Sequence, residues 1–563
     1  MLKPIIVDQY VAARVYFGCV VAIFFLEGII RNVLLLLSKI RKNKPTPASH
    51  WGITVFLHRT LTRAVPIPYF TDYHILDVVR FAIFAVLNVI FALNTNQYTT
   101  DYTLYGWLTI ANGGLAFLLA ARSNLFSLIL RIPAPVLLQY HRWIGLATVA
   151  DATVHVSFNI MHFINTDQIK SNLASARIQV GLAAWVCLVI MLLTALPIVR
   201  RRSFEVFYYA HFLFFVFIGG ALYHTTKGPE FLLPGFGLWV IDRAIRLAYG
   251  FRKITVESAT YYEGDLTKLR LRGMRAAKPG QMVWLQLSGV SRLNWHPFTV
   301  ASSVALDGDD AMPTATMTPR TTVAIRGLGG YTSAVQQLAE KEPDSAETSI
   351  SSCNLRVRLD GPYGVSRFNW HDERLVVLVA GGVGITPGIS IASSIITAAT
   401  IGSSSPAEPP VTTHIHLLWV VKDATHITWF ADELRSLHTL LSRQPNPTVR
   451  FNVMIHVTSN VSSTPAPALE PSNSSSVEMM KQVHTMSSAS PSSVPSNGNP
   501  WRLQHGRPDI HRWFTNCKDT APSVDAAVNV CGPAALVLDV RRASVAQSSG
   551  SCLFRIEEES FEL

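Results

Sequence analysis

Seven stretches in the first half of the chain are long and apolar enough to cross a lipid bilayer, and nothing else in the sequence restricts the fold as much. A crossing helix needs ~20 mostly apolar residues, because hydrocarbon supplies no water to satisfy backbone polar groups. The stretches are 15–37, 73–93, 103–121, 137–163, 178–199, 204–226 and 231–249. Only 15% of the 563 residues are charged and 49% are apolar, as an integral membrane protein requires. The first run is longer than the apolar core of a secretion signal and contains Glu27 and Arg31, so it reads as an uncleaved span. Those two residues stand four apart and neutralise each other.

A net charge of +11 raises the question of nucleic acid, but the cations have a simpler reading. Lys39, Arg41, Lys42, Lys44, Arg59 and Arg63 follow the first span, Arg122 and Arg131 the third, and Arg200, Arg201 and Arg202 the fifth. The opposing loops hold Lys170, Arg177 and Lys227. Basic loops stay on the cytoplasmic side, which puts the N-terminus outside, everything after Arg252 in the cytoplasm, and lipid rather than nucleic acid as the partner. Six scattered cysteines without CxxC spacing indicate neither a disulfide framework nor a zinc site.

Two of these spans carry paired histidines. "QYHRWIGLATVADATVHVSF" holds His141 and His155, and "SFEVFYYAHFLFFVFIGGALYHTT" holds His211 and His224. At ~1.5 Å per residue the first pair lies roughly 21 Å apart along its helix and the second roughly 20 Å apart. Spans four and six run in the same direction, so His141 faces His211 near the cytoplasmic leaflet and His155 faces His224 near the outer one. Two stacked sites, each with one imidazole from either helix, suit two hemes with bis-histidine ligation. Iron then satisfies ring nitrogens that hydrocarbon would leave bare. Six-coordinate iron keeps no open position, so such hemes carry electrons and bind no substrate. The phases do not match: at ~100° per residue the first pair is about 40° apart around its helix and the second about 140°. Gly219 and Gly220 are the expected place for a distortion that corrects this. His162 and His74 read as solvated loop residues.

Beyond Arg252 the composition becomes that of a water-soluble protein. "RKITVESATYYEGDLTKLRLRG" and "GQMVWLQLSGV" alternate at period two and predict antiparallel strands of a small barrel. "LNWHPFTVASS" ends a predicted strand, where Phe298 and Thr299 present a flat face and a hydroxyl to a planar ring. Gly329, Gly330, Tyr331 and Thr332 open a helix whose free N–H groups suit a pyrophosphate. "RLVVLVAGGVGITPGISIASSIITAA" is a buried strand, a glycine turn and a helix, the opening of a parallel α/β domain. Gly381, Gly382 and Gly384 let backbone approach phosphates, although Pro387 replaces the third glycine of GxGxxG. "AAVNVCGPAALV" ends another buried strand at Cys531, Gly532 and Pro533, and a lone cysteine without a nearby His motif is a poor nucleophile. Ser459 to Asn499 is too poor in apolar residues to pack and is expected to be disordered, and its sequons at Asn460 and Asn473 to carry no glycan.

In this order the motifs resemble the fungal ferric reductases, flavocytochromes b related to the NADPH oxidases. The resemblance rests on the paired His141/His155 and His211/His224, "HPFT", "GGYT", "DGPYG" at Asp360 to Gly364, "GGVGITP", "CGP" and the terminal "EEESFEL". It implies an α-helical membrane bundle of about seven spans followed by a ferredoxin-reductase-like module. That module comprises an antiparallel β-barrel for FAD and a parallel α/β domain for NADPH. The expected segments are 1–72 (first span and cytoplasmic loop), 73–250 (heme-binding membrane domain), 251–371 (FAD barrel) and 372–563 (NADPH domain, with the insert at about 459–500).

By resemblance, two heme b groups lie on the four histidines. FAD lies on His296, Pro297, Phe298, Thr299, Gly330, Tyr331 and Thr332, with Phe561 covering the flavin. NADPH lies on Gly381, Gly382, Gly384, Thr386 and Pro387, with Cys531, Gly532 and Pro533 beside the nicotinamide and Lys422 toward the 2′-phosphate. The implied activity passes electrons from cytosolic NADPH through FAD and the hemes to ferric chelates or siderophores on the outer face, at the plasma membrane. Flavin stands between because NADPH gives two electrons and ferric iron accepts one. Many relatives carry a large extracellular region before their first span, and neither that nor a signal peptide is expected here. Two other readings share parts of the pattern: an oxidase making superoxide, and a transporter with a regulatory nucleotide-binding half. Short outer loops, "TTKGPEF" and "FINTDQIKSNLASAR", leave room for bulky chelates and favour metal reduction.

Overall fold

The computed structural model describes residues 5–42, 49–66, 73–95, 102–122, 124–250, 252, 254–291, 294–304, 320–327, 329–341, 357–401, 412–443, 448–459 and 499–559. Phe561, the two sequons and nearly all of the 459–500 insert lie outside the described residues. The chain divides into two units, one within 1–40 and 76–248, the other within 41–75 and 249–562.

The first unit is helical. Its elements are α1 (Gln9–Lys42), α3 (Ile75–Ala92), α4 (Thr103–Ala120), α5 (Leu125–Leu130), α6 (Ala134–Asn165), α7 (Ile169–Leu173), α8 (Ala176–Ala195), α9 (Pro197–Arg202), α10 (Phe204–His211), α11 (Phe214–His224) and α12 (Pro229–Gly250). The short α2 (Gly52–Leu61) belongs to the second unit. Six of the expected spans coincide with helices of crossing length and apolarity: Gln9–Leu37, Ile75–Ala92, Thr103–Ala120, Ala134–Asn165, Ala176–Ala195 and Phe204–His224. The stretch 231–249 is helix α12, whose apolar character is diluted by Pro234, Asp242, Arg243 and Arg246. The seventh helix that is long and apolar enough is Gly382–Thr400, in the second unit, where 67% of it is buried against protein.

At the centre, α4 buries Leu104, Leu108 and Leu115 and packs along α6. It meets α12 at Gly114, where an added Cβ would fall 2.1 Å from the Phe231 carbonyl oxygen. Small residues allow such close helix approach in a membrane.

The sixth span is broken at Phe212 and Leu213. There the N–H groups of Phe212, Leu213 and Phe215 donate three residues back, to Tyr209, Ala210 and Phe212, and four-residue spacing resumes at Phe217. Such 3₁₀ bonding winds ~120° per residue against ~100° in an α-helix. About four over-wound residues add about 80°, which reduces the 140° phase error between His211 and His224 to about 60°. The distortion expected at Gly219 and Gly220 therefore lies one to two turns earlier.

In the second unit, strands β1 (Thr255–Tyr262), β2 (Leu266–Arg272), β3 (Met282–Leu287), β4 (His296–Val304), β5 (Arg320–Arg326) and β6 (Val357–Tyr363) form an antiparallel sheet of order β1-β2-β5-β4-β3-β6. A bridge from Ile254 to Val357 joins its two edges into a barrel around Leu269, Leu285, Val300 and Val323. Helix α13 (Gly330–Lys341) packs on it.

A six-stranded parallel sheet follows. Its strands β7 (Leu375–Gly381), β8 (Thr413–Val421), β9 (Val449–Val457), β10 (Trp501–His505), β11 (Ala526–Cys531) and β12 (Phe554–Glu559) are ordered β10-β9-β8-β7-β11-β12. Helices α14 (Ile385–Ile401), α15 (Ala431–Ser442), α16 (Ile510–Thr520) and α17 (Ala534–Gln547) cover it. Val376 and Leu378 face a core with Ile389 and Leu434, while Leu375 and Val377 face one with Phe514 and Val540. Both faces of β7 are thus apolar, the cause of its continuous hydrophobic run. From β7 the chain builds outward through β8, β9 and β10, then returns to β11 on the other side. That reversal between β7 and β11 makes a crevice at their carboxyl ends, the usual ligand site of an open parallel sheet. Barrel and sheet are tied by Lys268 Nζ to Glu433 (2.5 Å) and by Trp429 Nε1–H donating to the Glu263 carbonyl (2.8 Å).

Candidate functional site

The four membrane histidines meet in two pairs. Ring centroids are 6.2 Å apart for His141 and His211 and 6.3 Å for His155 and His224. A metal held ~2.0–2.1 Å from one nitrogen of each ring, with a little over 1 Å from nitrogen to ring centre on each side, requires about 6.2–6.4 Å. The gap therefore fits one metal per pair. Three of the rings are oriented by their other nitrogen, as ligating imidazoles are. Nδ1–H of His141 donates to the Ala116 carbonyl (3.0 Å), that of His155 to Tyr102 (2.7 Å) and that of His224 to Arg177 (2.9 Å). These bonds place the proton on Nδ1 and leave Nε2 with the lone pair; at His155 the Asn159 Nδ2 stands 3.5 Å from that atom. His211 Nδ1 is buried without a hydrogen-bond partner among the described residues. Gly106 and Gly181 make room for the outer pair, since an added Cβ would fall 2.8 Å from His155 Cε1 or 2.6 Å from His224 Nδ1. An added Cβ at Gly145, four residues after His141, or at Gly219, between His211 and His224 in sequence, would meet no atom of the described residues within 4 Å.

His162 belongs to neither pair and lies 5.3 Å from the Tyr102 ring. His74, expected to be solvated, is half-buried: Nδ1 lies 2.9 Å from the Thr62 carbonyl oxygen and Nε2 3.6 Å from Glu558.

The HPFT residues open strand β4 and do not end a preceding one. His296 stacks on Tyr331 at 3.9 Å, and its Nε2 is buried without a hydrogen-bond partner among the described residues. Tyr331 holds that stack by accepting the Leu287 N–H at its hydroxyl (3.0 Å). Pro297 and Phe298 sit opposite Trp284 and Val283 on β3. Thr299 is buried. Thr332 Oγ1 accepts the Gly329 N–H (2.9 Å) at the start of α13, organising a helix N-terminus that begins at Gly330.

At the sheet's carboxyl edge the two glycine turns touch. A Cβ on Gly384 would fall 2.3 Å from the Cys531 carbonyl oxygen, and one on Gly381 would fall 2.6 Å from Pro533. Only glycine permits that approach. Thr386 and Pro387 lie in the first turn of α14, and Thr386 is buried. Gly532 sits against Gly381. Lys422 is exposed just beyond β8. Burial pushes the Cys531 thiol well above its ordinary range, and Glu559 adds to this, so the thiol stays protonated and inert as a nucleophile.

Two groups at this edge were not singled out by sequence. Arg326, at the end of β5, points Nη1 to within 3.6 Å of where a Gly382 Cβ would stand, and its buried Nε has no hydrogen-bond partner among the described residues. A guanidinium that lies 5.7 Å from the Trp429 ring centroid, keeps one buried N–H without a partner and stands beside a glycine turn suits an anionic ligand. Its one signal was position, just before "GLGGYT". Glu559 ends β12 beside Cys531, accepts from Asn529 Nδ2 (3.1 Å) and hydrogen-bonds Thr299. Burial, then the Glu557 charge, raise its carboxyl to about 8. It links the HPFT strand to the CGP turn, yet in sequence it is one of three consecutive glutamates.

Comparison with known proteins matches these parts in order. Residues 105–222 match the family described as ferric reductase like transmembrane component, 250–367 an FAD-binding domain, and 373–545 the ferric reductase NAD binding domain. The Saccharomyces cerevisiae ferric reductase transmembrane component 3 is 26% identical over 479 residues, covering 81% of this chain and 60% of the relative. The Arabidopsis thaliana ferric reduction oxidase 8, mitochondrial, is 29% identical over 311 residues, covering 53% and 41%. The chain spans about two-fifths of the length of the Arabidopsis relatives it matches. A solved ferredoxin–NADP+ reductase from Plasmodium falciparum aligns with 54% of this chain and 95% of its own at 10% identity and TM-score 0.31.

Proposed function

Since the chain belongs to the flavocytochrome b family of ferric reductases, we propose that it carries electrons from cytosolic NADPH across the membrane to ferric chelates or siderophores on the opposite face. The observation that carries this reading is the pair of imidazole gaps, 6.2 and 6.3 Å, each sized for one bis-histidine iron. Bound heme and FAD supply the redox chemistry: one-electron carriage at the histidine pairs and conversion of a two-electron donor into single electrons at the barrel.

The chain's own residues do the rest. His141 and His211 hold one heme, and His155 and His224 the other, with the carbonyls of Ala116, Tyr102 and Arg177 fixing three tautomers. His296, Pro297, Phe298 and Thr299 line the flavin ring, while Gly330, Tyr331 and Thr332 receive its pyrophosphate at the α13 N-terminus. Gly381, Gly382, Gly384, Thr386 and Pro387 accept the NADPH phosphates, with Arg326 as their counter-charge and Lys422 toward the 2′-phosphate. Cys531, Gly532 and Pro533 bound the nicotinamide, and Phe561 covers the flavin in its absence. Electron transfer to a chelate at an exposed edge needs no acid or base. Basic loops after spans one, three and five support a cytoplasmic nucleotide-binding half and an N-terminus outside, and we take the plasma membrane as the membrane concerned. The connection between α11 and α12 is only Thr225–Gly228, which supports access of a bulky chelate on that side and favours a chelate over oxygen.

The test is a reduced-minus-oxidised spectrum of the purified protein followed by NADPH and a ferric chelate. The expected result is two b-type heme contributions, flavin bleaching by NADPH and chelate reduction. A colourless protein would restore the transporter reading, and superoxide formation without chelate reduction the oxidase reading.

A further inference from the structure

Asp151 lies on α6 between the two histidine levels and is 6% exposed. Its Oδ2 accepts from Asn112 Nδ2 on α4 (3.0 Å) and from Asn88 Nδ2 on α3 (3.4 Å). Tyr16 on α1 closes the network, donating to Asn112 Oδ1 (2.7 Å) and accepting from Asn88 (3.1 Å). Four helices thus converge on one carboxyl, and every partner is neutral. The titratable and charged groups on the packed elements include Tyr10, Arg14, Tyr16 and Cys19 on α1, Tyr105 on α4, Arg177 and Cys187 on α8, and Tyr140, His141, Arg142, His155 and His162 along α6 itself. Glu27, Asp77, Arg31 and Arg80 pair with one another instead. No lysine or arginine forms an ion pair with Asp151 among the described residues.

An ionisable side chain in hydrocarbon is costly and commonly functional. Its position says what the function is. At ~1.5 Å per residue Asp151 stands about 6 Å along the helix from His155 and about 15 Å from His141, and it falls about 40° from His155 around the axis. An electron arriving at the His155–His224 level adds a negative charge to a low-dielectric interior, where a carboxylate opposes it strongly.

We propose that Asp151 is a redox-linked proton site. Its carboxylate takes up one proton from solvent as one electron reaches the His155–His224 level, and releases that proton as the electron leaves for the acceptor. Charge is balanced on both steps, and the overall reaction, two ferric ions reduced per NADPH with one proton released, is unchanged. The inference rests on the bis-histidine heme reading above.

Spectroelectrochemical titration of the purified protein at several pH values tests it, in wild type, Asp151→Asn and Asp151→Glu. In wild type, one of the two heme midpoint potentials falls by up to about 59 mV per tenfold drop in proton concentration, while the other moves much less. Asp151→Asn keeps an oxygen acceptor but cannot ionise, so that potential becomes higher at alkaline pH and flat, and Asp151→Glu restores the slope. Wild-type potentials that ignore pH, or a slope that survives in Asp151→Asn, overturn the proposal. The wild-type measurement decides even where a variant does not fold. Absence of heme bands would instead refute the function on which the inference stands.

Discussion

Glu559 shows how much one carboxyl's surroundings decide. Burial lifts it to about 8 from an ordinary carboxylate value near 4.5. The sign follows from linkage: between those values the folded protein holds a proton that the unfolded chain has released, so stability falls as pH rises through that window. Glu559→Gln keeps an acceptor for Asn529 and removes the titration. Its thermal midpoint of flavin release is expected to stay level across the window in which the wild-type midpoint declines, and parallel curves would place the pH dependence elsewhere. Arg326 carries a second prediction. Arg326→Leu removes the cation facing the Gly382 turn, so KM for NADPH rises on the order of tenfold, about 1.4 kcal/mol, with kcat and heme spectrum little changed. Steady-state kinetics reads the split between KM and kcat. At this scale the sequence revealed residues whose chemistry is odd for their setting, such as histidines in apolar spans. Glu559 escaped because its neighbours are also glutamates. Only parallel pairing of β12 with β11 sets it beside Asn529 and Cys531.

Among the elements, periodicity located the helices and strands but could not resolve what surrounds them. The apolar run after "GGVG" is as suited to lipid as the true spans, because burial between a sheet and its neighbours selects the same residues as hydrocarbon does. The break at Phe212 and Leu213 was hidden for another reason: "HFLFFVF" contains no glycine or proline to mark the shift to three-residue hydrogen bonds. That break phases His211 against His224. Inserting one alanine between Phe212 and Leu213 turns the two histidines by a further ~100° relative to each other. The expected outcome is loss of one heme, read as a heme-to-protein ratio falling from two toward one by pyridine hemochrome assay, with flavin reduction by NADPH intact. A ratio that stays at two would show that the helix absorbs the extra residue without moving its ligands.

On the scale of the whole molecule, the linker between the first two membrane helices is built into the nucleotide-binding unit. Arg59 on α2 donates to the carbonyls of Ala546 and Ser548 at the end of α17, where unpaired carbonyls and the helix dipole favour a cation. His50 Nε2 lies 2.7 Å from Asp525 Oδ1, which also accepts the Leu553 N–H (3.0 Å), and His58 Nε2 lies 3.0 Å from the Phe554 carbonyl oxygen. Leu553 precedes and Phe554 begins the strand that ends at Glu559, so the linker grips the element that reaches the HPFT strand. In sequence Arg59 reads as a basic loop residue marking membrane orientation, because a positive charge that faces a helix end and one that faces cytosol look identical. Replacing Arg59 by Ala removes up to three charge-assisted hydrogen bonds to backbone carbonyls at a partly exposed contact, a loss of about 1–3 kcal/mol in the docking of the linker. Amide hydrogen exchange in residues 50–63 should then accelerate by about ten- to a hundredfold, since each 1.4 kcal/mol is a factor of ten, while exchange in β7 and β8 at the centre of the sheet is unchanged. Faster exchange throughout the sheet would mean that Arg59 supports the fold of the whole unit. Unchanged exchange in the linker would mean that His50 and His58 suffice to hold it.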